Sequence, residues 1–245
     1  MSCEKDLTGL FADPVLRDYL ELTDRSIRLA VSRISADCEL LAENGAENGC
    51  AADIMNMCCR LVQVSELYGM LTHEPEKEGR GAEATELCSY ISSFADGCSE
   101  LLTGTCSFRT ETSGSVYIEA ARDILTYLLL AFVRRSVLKG ASEIAVSVSE
   151  NENKAHLALA VTARTELRYA HFDDFQNLHF ESVSATLCKK IGAVCELTDK
   201  SITVILPEAD AAGEAGFSSP VTDYEPETFS PFKIMLGDLC GRDDL

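Results

Sequence analysis

The stretch 123-DILTYLLLAFVRRSVLKGA-141 decides the fold, because it is the most apolar helix candidate in the chain. Its apolar residues recur every three to four positions around most of the helix, which predicts a central and largely buried helix. Arg134 and Arg135 are its polar exceptions. Since an apolar core accommodates charge poorly, we expect both arginines to point into a cleft or to the surface.

The composition is that of a folded globular protein with a strong negative charge. Of its 245 residues 46% are hydrophobic, and 21 basic against 40 acidic side chains give a net charge of −19. Such a charge repels phosphate backbones and anionic lipids, so we expect no nucleic-acid partner and no membrane partner. The longest uninterrupted apolar run, Tyr127–Val133, is far shorter than a bilayer crossing requires, and the sequence predicts a cytoplasmic protein.

The 11 cysteines are scattered from Cys3 to Cys240, without a CxxC pair or a histidine at zinc-ligand spacing. Several fall at apolar positions of predicted helices. We therefore interpret them as reduced thiols that serve as small apolar side chains, and we expect no metal site.

Two amphipathic helices are predicted in the first 72 residues. The first covers Pro14–Glu43, where apolar residues alternate at spacings of four and three, and the second covers Ala51–Leu71. The stretch between them is rich in asparagine and glycine, which favours an antiparallel hairpin. Because two such helices bury little apolar surface alone, we expect residues 1–72 to form a homodimeric four-helix bundle.

A charged linker at residues 73–82 precedes a second domain at residues 83–207. The order of its predicted elements favours an α/β sandwich with helices on one face of a mixed sheet, and an α+β class for the whole chain. The predicted elements are a helix at Glu83–Leu102, a small hairpin of Thr105–Arg109 with Ser115–Ile118, the central helix, an antiparallel strand pair at 144–148 and 157–161, a helix at Phe180–Val194 and a strand at Ser201–Leu206.

Residues 208–245 form an acidic, proline-containing tail with two basic and nine acidic side chains, a net charge of −7. Within it, Phe229–Cys240 (FSPFKIMLGDLC) is apolar enough to dock onto a protein surface. We expect it to dock on its own chain. A dimer mate and another protein are the alternatives.

Two stretches resemble the cytoplasmic core of two-component sensor histidine kinases. Tyr19–Leu41 (YLELTDRSIRLAVSRISADCELL) is similar to the phosphoacceptor helix of that family, and Phe180–Pro207 (FESVSATLCKKIGAVCELTDKSITVILP) is similar to the end of its ATP-binding domain. Together with the order of elements, the resemblance covers about Tyr19–Pro207. It implies a dimerisation hairpin followed by a histidine-kinase-like ATPase domain.

The phosphoacceptor of the family is missing from this hairpin. The acceptor histidine of the family aligns with Arg25, whose guanidinium has no usable nucleophilic lone pair. No histidine occurs in Met1–Thr72, and His73 lies in the linker. The resemblance therefore implies a hairpin that docks partners without carrying a phosphoryl group on histidine.

The ATP-binding motifs of the family are missing as well. The asparagines that hold its magnesium ion align with Ala131 and Arg135, an apolar methyl group and a cation. Its Asp-x-Gly-x-Gly motif aligns with Thr162–Tyr169, and its glycine-rich phosphate loop aligns with Phe180–Val183. We therefore expect no catalytic residue, no metal and no cofactor.

These departures predict a degenerate histidine-kinase-like protein, a pseudokinase, that acts in signal transduction as a dimeric scaffold or docking module. Receiver domains of response regulators dock on the hairpin of the family, which makes Asp24, Arg25, Arg28 and Leu29 the candidate partner surface. One alternative is a divergent sensor kinase or phosphotransferase that binds ATP with Mg²⁺ and uses a non-histidine acceptor. A second alternative is a small-anion sensor.

The two arginines of the central helix leave two interpretations open. They could clamp a phosphate or a carboxylate together with the cations of Arg164–Arg168. Alternatively, they pair with acidic residues such as Asp173, Asp174 or Glu181 and close the vacated pocket. We favour the second interpretation, because the chain has 40 acidic side chains.

Overall fold

A computed structural model describes residues 27–28, 31–32, 34–35, 38, 48–72, 83–112, 114–165, 175–209 and 230–239. The chain divides into two compact units, Met1–His73 and Glu74–Leu245. Most of the first predicted helix, the linker at 73–82 and the part of the acidic tail at 210–229 lie outside the described residues. The hairpin and its dimer therefore remain predictions.

The described part of the first unit is dominated by helix α1, Asn48–Thr72, which confirms the helix predicted at Ala51–Leu71. Its predicted apolar side is split between two environments. Cys58 of that side is buried, as are Val62 and Leu67 outside it, whereas the side chains of Met57, Leu61 and Val64, which belong to it, are exposed. The helix thus presents a second apolar stripe, formed by Met57, Leu61 and Val64, that is exposed.

The second unit alternates strands and helices. Its described elements are β1 (Glu83–Glu86), α2 (Leu87–Leu101), β2 (Ser107–Thr112), β3 (Tyr117–Ala120), α3 (Arg122–Leu138), β4 (Ala141–Asn151), β5 (Lys154–Arg164), α4 (Phe175–Lys190), β6 (Val194–Leu197), β7 (Ser201–Pro207) and α5 (Pro231–Leu236), followed by a 3₁₀ turn at Gly237–Leu239. Helix α3 is the predicted central helix, and it is buried along nearly its whole length.

The five-stranded sheet has the order β2-β4-β5-β7-β6. Strand β2 is parallel to β4, and the other neighbours are antiparallel, so the sheet is mixed as predicted. The predicted strand pair is β4 with β5, joined by a two-residue turn in which Glu152 and Asn153 have positive φ. Residues on one face of β4, such as Ile144 and Val146, are fully buried, and α2 and α3 pack against this strand.

Two predictions near the start of this unit, the N-terminal end of a helix and a small hairpin, were wrong. Glu83–Glu86 was predicted as the first turn of a helix, but it is strand β1 and pairs with β3. The backbone of Glu86 is extended and its carboxylate caps α2, which prevents the helix from starting earlier. The predicted small hairpin also does not form, because β2 pairs with β4 and β3 pairs with β1.

The helix predicted at Phe180–Val194 ends four residues earlier than expected and is followed by a strand that was missed. Gly192 has φ +66°, and the N–H groups of Gly192 and Ala193 donate to the carbonyls of Lys189 and Cys188. This is a Schellman motif, in which glycine takes the left-handed conformation that ends a helix. Val194 consequently begins β6 instead of continuing α4.

The C-terminal helix α5 docks on its own unit, as predicted. Ser230 caps its N-terminus by accepting a hydrogen bond from the Lys233 N–H, and Pro231 occupies the first turn. The helix packs against α2 and α3. It therefore adds a further layer over the central helix.

Candidate functional site

The C-terminal half of α3 carries Arg134, Arg135 and Ala131, and the resemblance aligns the last two with metal ligands of the family. Ala131 is buried, and Arg134 and Arg135 follow one turn later. Phe180–Val183, which aligns with the phosphate loop of the family, lies inside helix α4. Of Thr162–Tyr169, the first residues complete β5, and residues 166–170 lie outside the described residues.

The Arg135 side chain packs against an aromatic ring and lies near a carboxylate. Its guanidinium lies 4.9 Å from the ring centroid of Phe180, and its Nη2 atom lies 3.8 Å from Oδ1 of Asp199. The Phe180 ring is itself buried and contacts Phe132 at a centroid distance of 6.5 Å. Only 16% of the Arg135 side chain is exposed, so this contact leaves little of the guanidinium free for solvent.

Asp199 gathers three cations at one end of the sheet. Lys139 Nζ donates to its Oδ1 at 3.1 Å, and Arg164 Nη2 donates to its backbone carbonyl at 3.0 Å. With Arg135, these residues form what we call the Asp199 cluster. Hydrogen bonding and charge from Lys139, aided by the two arginines, hold the pKa of Asp199 below its ordinary value. Three cations against one carboxylate leave two positive charges in surplus.

The turn that presents Asp199 is fixed by its neighbours. Thr198 Oγ1 accepts hydrogen bonds from the N–H groups of Lys200 and Ser201. Such a threonine turn orders the backbone between β6 and β7. The expected partners Asp173 and Asp174 lie outside the described residues, and Glu181 is exposed, so Asp199 is the carboxylate that the structure pairs with Arg135.

Arg134 contradicts the prediction that both arginines point into a cleft or to the surface. It is 2% exposed, and its Nη1 donates to the backbone carbonyl of Met235 at 2.8 Å. The charge is accommodated because α5 covers it and supplies a carbonyl from its last turn.

Of the candidate partner surface on the hairpin, the structure describes one residue, Arg28. Asp24, Arg25 and Leu29 lie outside the described residues. Arg28 Nη1 lies 2.6 Å from Glu66 Oε1 of helix α1, with both side chains partly exposed. Arg28 thus takes part in an ion pair within its own unit.

The Asp199 cluster was missed by sequence reasoning. Lys139 and Asp199 are sixty residues apart, and each has an ordinary local interpretation, as a cation at a helix C-terminus and as a turn aspartate. A local signal could have located each residue alone, but their contact depends on the pairing of β5 with β7.

The described residues contain neither a metal-ligand group nor a membrane-spanning helix. No three histidine, cysteine, aspartate or glutamate side chains there lie close enough to hold a metal ion. In the same part of the chain, no helix combines the length and the apolar character that a bilayer crossing requires.

The chain is similar in structure to sensor histidine kinases. Full-length ShkA, crystallised in complex with AMPPNP, superposes with a TM-score of 0.58 at 14% identity over 80% of this chain and 47% of ShkA, so this chain spans about half of that protein. The histidine kinase AdeS of Acinetobacter baumannii gives a TM-score of 0.47 at 11% identity over 74% of this chain and 96% of AdeS. The ATP-binding domain of PrrB from Mycobacterium tuberculosis gives a TM-score of 0.42 at 11% identity over 53% of this chain and 98% of the PrrB domain.

Sequence comparison adds nothing to this similarity, since no protein-family model and no curated protein matches the chain. Identities of this size are informative about the fold and leave the activity open. The mixed sheet, the central buried helix and the superposition on ShkA agree. The chain has a histidine-kinase-like ATPase fold.

Proposed function

We propose that the chain is a degenerate histidine-kinase-like protein that acts in signal transduction as a dimeric scaffold or docking module, without binding Mg-ATP. The observation that carries this proposal is the environment of Arg135, which stacks on Phe180 and pairs with Asp199; the resemblance aligns this residue with a metal ligand of the family. The histidine-kinase-like fold supports the signalling role.

The residues at this position do not fit a magnesium-bound nucleotide. Mg²⁺ requires oxygen ligands in near-octahedral geometry, whereas a guanidinium has five donors, no acceptor and a permanent positive charge. Ala131 supplies a methyl group, and the buried ring of Phe180 stands in helix α4, in a segment that aligns with the phosphate loop. Arg135 and Ala131 replace metal ligands, and Phe180 replaces part of the phosphate loop. A single compensating residue elsewhere could not restore both the metal site and the phosphate site.

The exposed stripe on α1 supports the dimeric part of the proposal. Met57, Leu61 and Val64 are 67%, 48% and 55% exposed, and their spacing places them on one side of the helix. Apolar stripes of this kind are normally covered, and a second copy of the hairpin would cover this one in a four-helix bundle. In that arrangement the other helix keeps Asp24, Arg25, Arg28 and Leu29 as the surface for a receiver domain.

Transfer of label from γ-³²P-ATP tests the proposal. The full chain is incubated with labelled Mg-ATP, alongside an Arg25→His variant that restores a histidine at the aligned acceptor position. We expect no label on either protein, because the proposal places the loss at both the acceptor and the nucleotide site. Label on the variant would show that ATP binds and would overturn the proposal, as would label on the unmodified chain at a non-histidine acceptor.

A second candidate function, sensing of a small anion, is favoured by the surplus charge of the Asp199 cluster. Arg135 and Lys139 pair with the Asp199 carboxylate, which is 81% exposed, and Arg164 donates to the backbone carbonyl of the same residue. A dianion such as sulfate could replace this carboxylate and contact the same three cations without magnesium.

Calorimetric titration with sulfate tests the second candidate, since sulfate stays fully charged throughout the accessible pH range. Asp199→Asn is expected to raise the affinity, because it removes the competing carboxylate, and Arg135→Gln is expected to remove binding. Lys154→Gln, at the opposite end of β5, is the matched control and should leave binding unchanged. Equal affinities for Asp199→Asn and the unmodified chain would contradict the anion site.

A further inference from the structure

The C-terminal helix is attached to the rest of its unit by residues 210–229, a stretch long enough to span roughly 60–70 Å when extended. The helix has six residues and continues into the turn at Gly237–Leu239. A helix of this length is unstable alone, so its structure depends on the groove that α2 and α3 provide. Docking and helix formation are therefore one coupled event.

An aromatic notch in the groove fits the first part of the helix. Phe232 is 5% exposed, and its ring lies 5.7 Å from that of Phe94 on α2. A Cβ atom at Gly97 would lie only 3.0 Å from Phe232 Cε1. Glycine is less favourable than alanine inside a helix, and at this position it makes room for the ring.

A polar clamp fits the last part of the helix. The buried guanidinium of Arg134 donates to the carbonyl of Met235, in the final turn of α5. Carbonyls in a last turn lack partners within the helix, and a cation there also interacts favourably with the helix dipole. Arg134 therefore recognises the end of a helix, which accounts for a charge in the most apolar segment of the chain.

The floor of the groove is apolar and takes the remaining side chains of the segment. The buried residues are Ile234, Met235, Leu236 and Leu239, each at most 5% exposed. Phe232 packs beside Gly97 at one end of the segment, and Arg134 binds the Met235 carbonyl at the other end. The groove therefore fixes both the position and the direction of the segment.

We propose that the groove between α2 and α3 is a helix-binding site, that its ligand is the chain's own segment Ser230–Leu239, and that this segment detaches and rebinds as a unit. Gly97 and Arg134 are the residues that select it.

Binding of a labelled peptide with the sequence of residues 229–240 tests this site on the full chain. A Phe232→Ala, Leu236→Ala variant has its own segment disabled, so it should bind the peptide saturably. The unmodified chain should bind at least tenfold more weakly, because its tethered segment competes at a high effective concentration. Adding Arg134→Met to the variant should lower its affinity for the peptide by about tenfold or more, which corresponds to the loss of a charged hydrogen bond.

A matched peptide carrying Lys233→Ala should bind as well as the natural one, since that side chain is only half-buried. Failure of the natural peptide to bind a disabled variant that remains folded by circular dichroism would overturn the proposal. So would equal binding of the peptide to both chains.

Hydrogen exchange on the unmodified chain tests detachment without any substitution. The amides of residues 234–236 should exchange together and at least tenfold faster than those of residues 128–133 in α3, because the segment opens while the core stays closed. Exchange of both groups at the same rate would show that α5 unfolds only with the core, and would overturn the proposal. Neither test depends on whether the chain binds nucleotide, so each can fail independently of the proposed function.

Discussion

At the scale of single residues, Arg134 and Arg135 illustrate how neighbours on one helix acquire different roles. The first is buried and donates to a backbone carbonyl of α5, and the second stacks on Phe180 beside an exposed carboxylate. Consecutive helical side chains point about 100° apart, so one faces the C-terminal helix and the other faces α4 and the β6–β7 turn. A pattern of apolar residues cannot distinguish these two environments.

Glu86 gives a residue-scale prediction about pH. Partial burial works against its charged form, but hydrogen bonds from Ser89 and from the Cys88 N–H outweigh this and lower the pKa of Glu86. The folded pKa lies below the unfolded value of about 4.3, so the cap stabilises the protein above that pH and is lost as the pH falls through the folded value.

We expect Glu86→Ala to lower the free energy of unfolding by about 1 kcal/mol at pH 7, and the difference to shrink towards zero near pH 2. Urea unfolding of both proteins at the two pH values measures this. Glu119→Gln, an exposed glutamate on the neighbouring strand β3, is the control and should show no such loss at pH 7. A difference that persists unchanged at low pH would show that the carboxylate does not act as a charged cap.

At the scale of elements, contacts between helices determine what each segment tolerates. Gly97→Ala would usually stabilise a helix, yet here the added methyl group meets Phe232 at 3.0 Å. Overpacking of this kind costs about 1–3 kcal/mol, so we expect a lower melting temperature.

Gly237→Ala is the matched control for that substitution, since a Cβ atom there has nothing within 4 Å and its backbone is right-handed helical. It should leave the melting temperature nearly unchanged. Two alanine variants of equal stability would mean that α5 does not sit in the notch at Gly97.

The exposed stripe of α1 leads to a prediction about association. Leu61→Glu should convert a dimer of twice the 26.6 kDa chain mass into a monomer in multi-angle light scattering, because a charge would be buried in the proposed bundle. The side chain is exposed within its own chain, so the substitution should leave the helix intact. Leu61→Met is the conservative control and should stay dimeric. A Leu61→Glu variant that remains dimeric would place the interface elsewhere.

Sequence patterns identified some elements well and missed others for physical reasons. The central helix and the β4–β5 pair carry strong periodicity over many residues, and both were predicted. Strands β1 and β6 have four residues each, too few for alternation to stand out from helical spacing, and both were missed. The pairing of β2 with β4 depends on a crossover through α3 that no local pattern encodes.

At the scale of the whole molecule, the resemblance to histidine kinases predicted the fold from the order of elements, and the superposition on ShkA agrees with it. The candidate site was predicted less completely. Arg135 was singled out from the sequence, but its ring and carboxylate partners come from α4 and from the β6–β7 turn, far along the chain. The covering of α3 by the C-terminal helix was predicted as self-docking, whereas its clamp on Arg134 was not.

Thermal unfolding with and without millimolar Mg-ATP tests the central claim most directly. Ligand at one hundred times its dissociation constant adds about 2.7 kcal/mol to the stability of the native state, a shift of roughly 5–10 °C for a chain of this size. ShkA, which was crystallised with AMPPNP, serves as the positive control under the same conditions. We predict no shift for this chain with Mg-ATP or Mg-ADP, because the proposed function places a guanidinium and a methyl group at the positions of the metal ligands. A midpoint that rises with nucleotide and magnesium would contradict the account and show that the ATP site is retained.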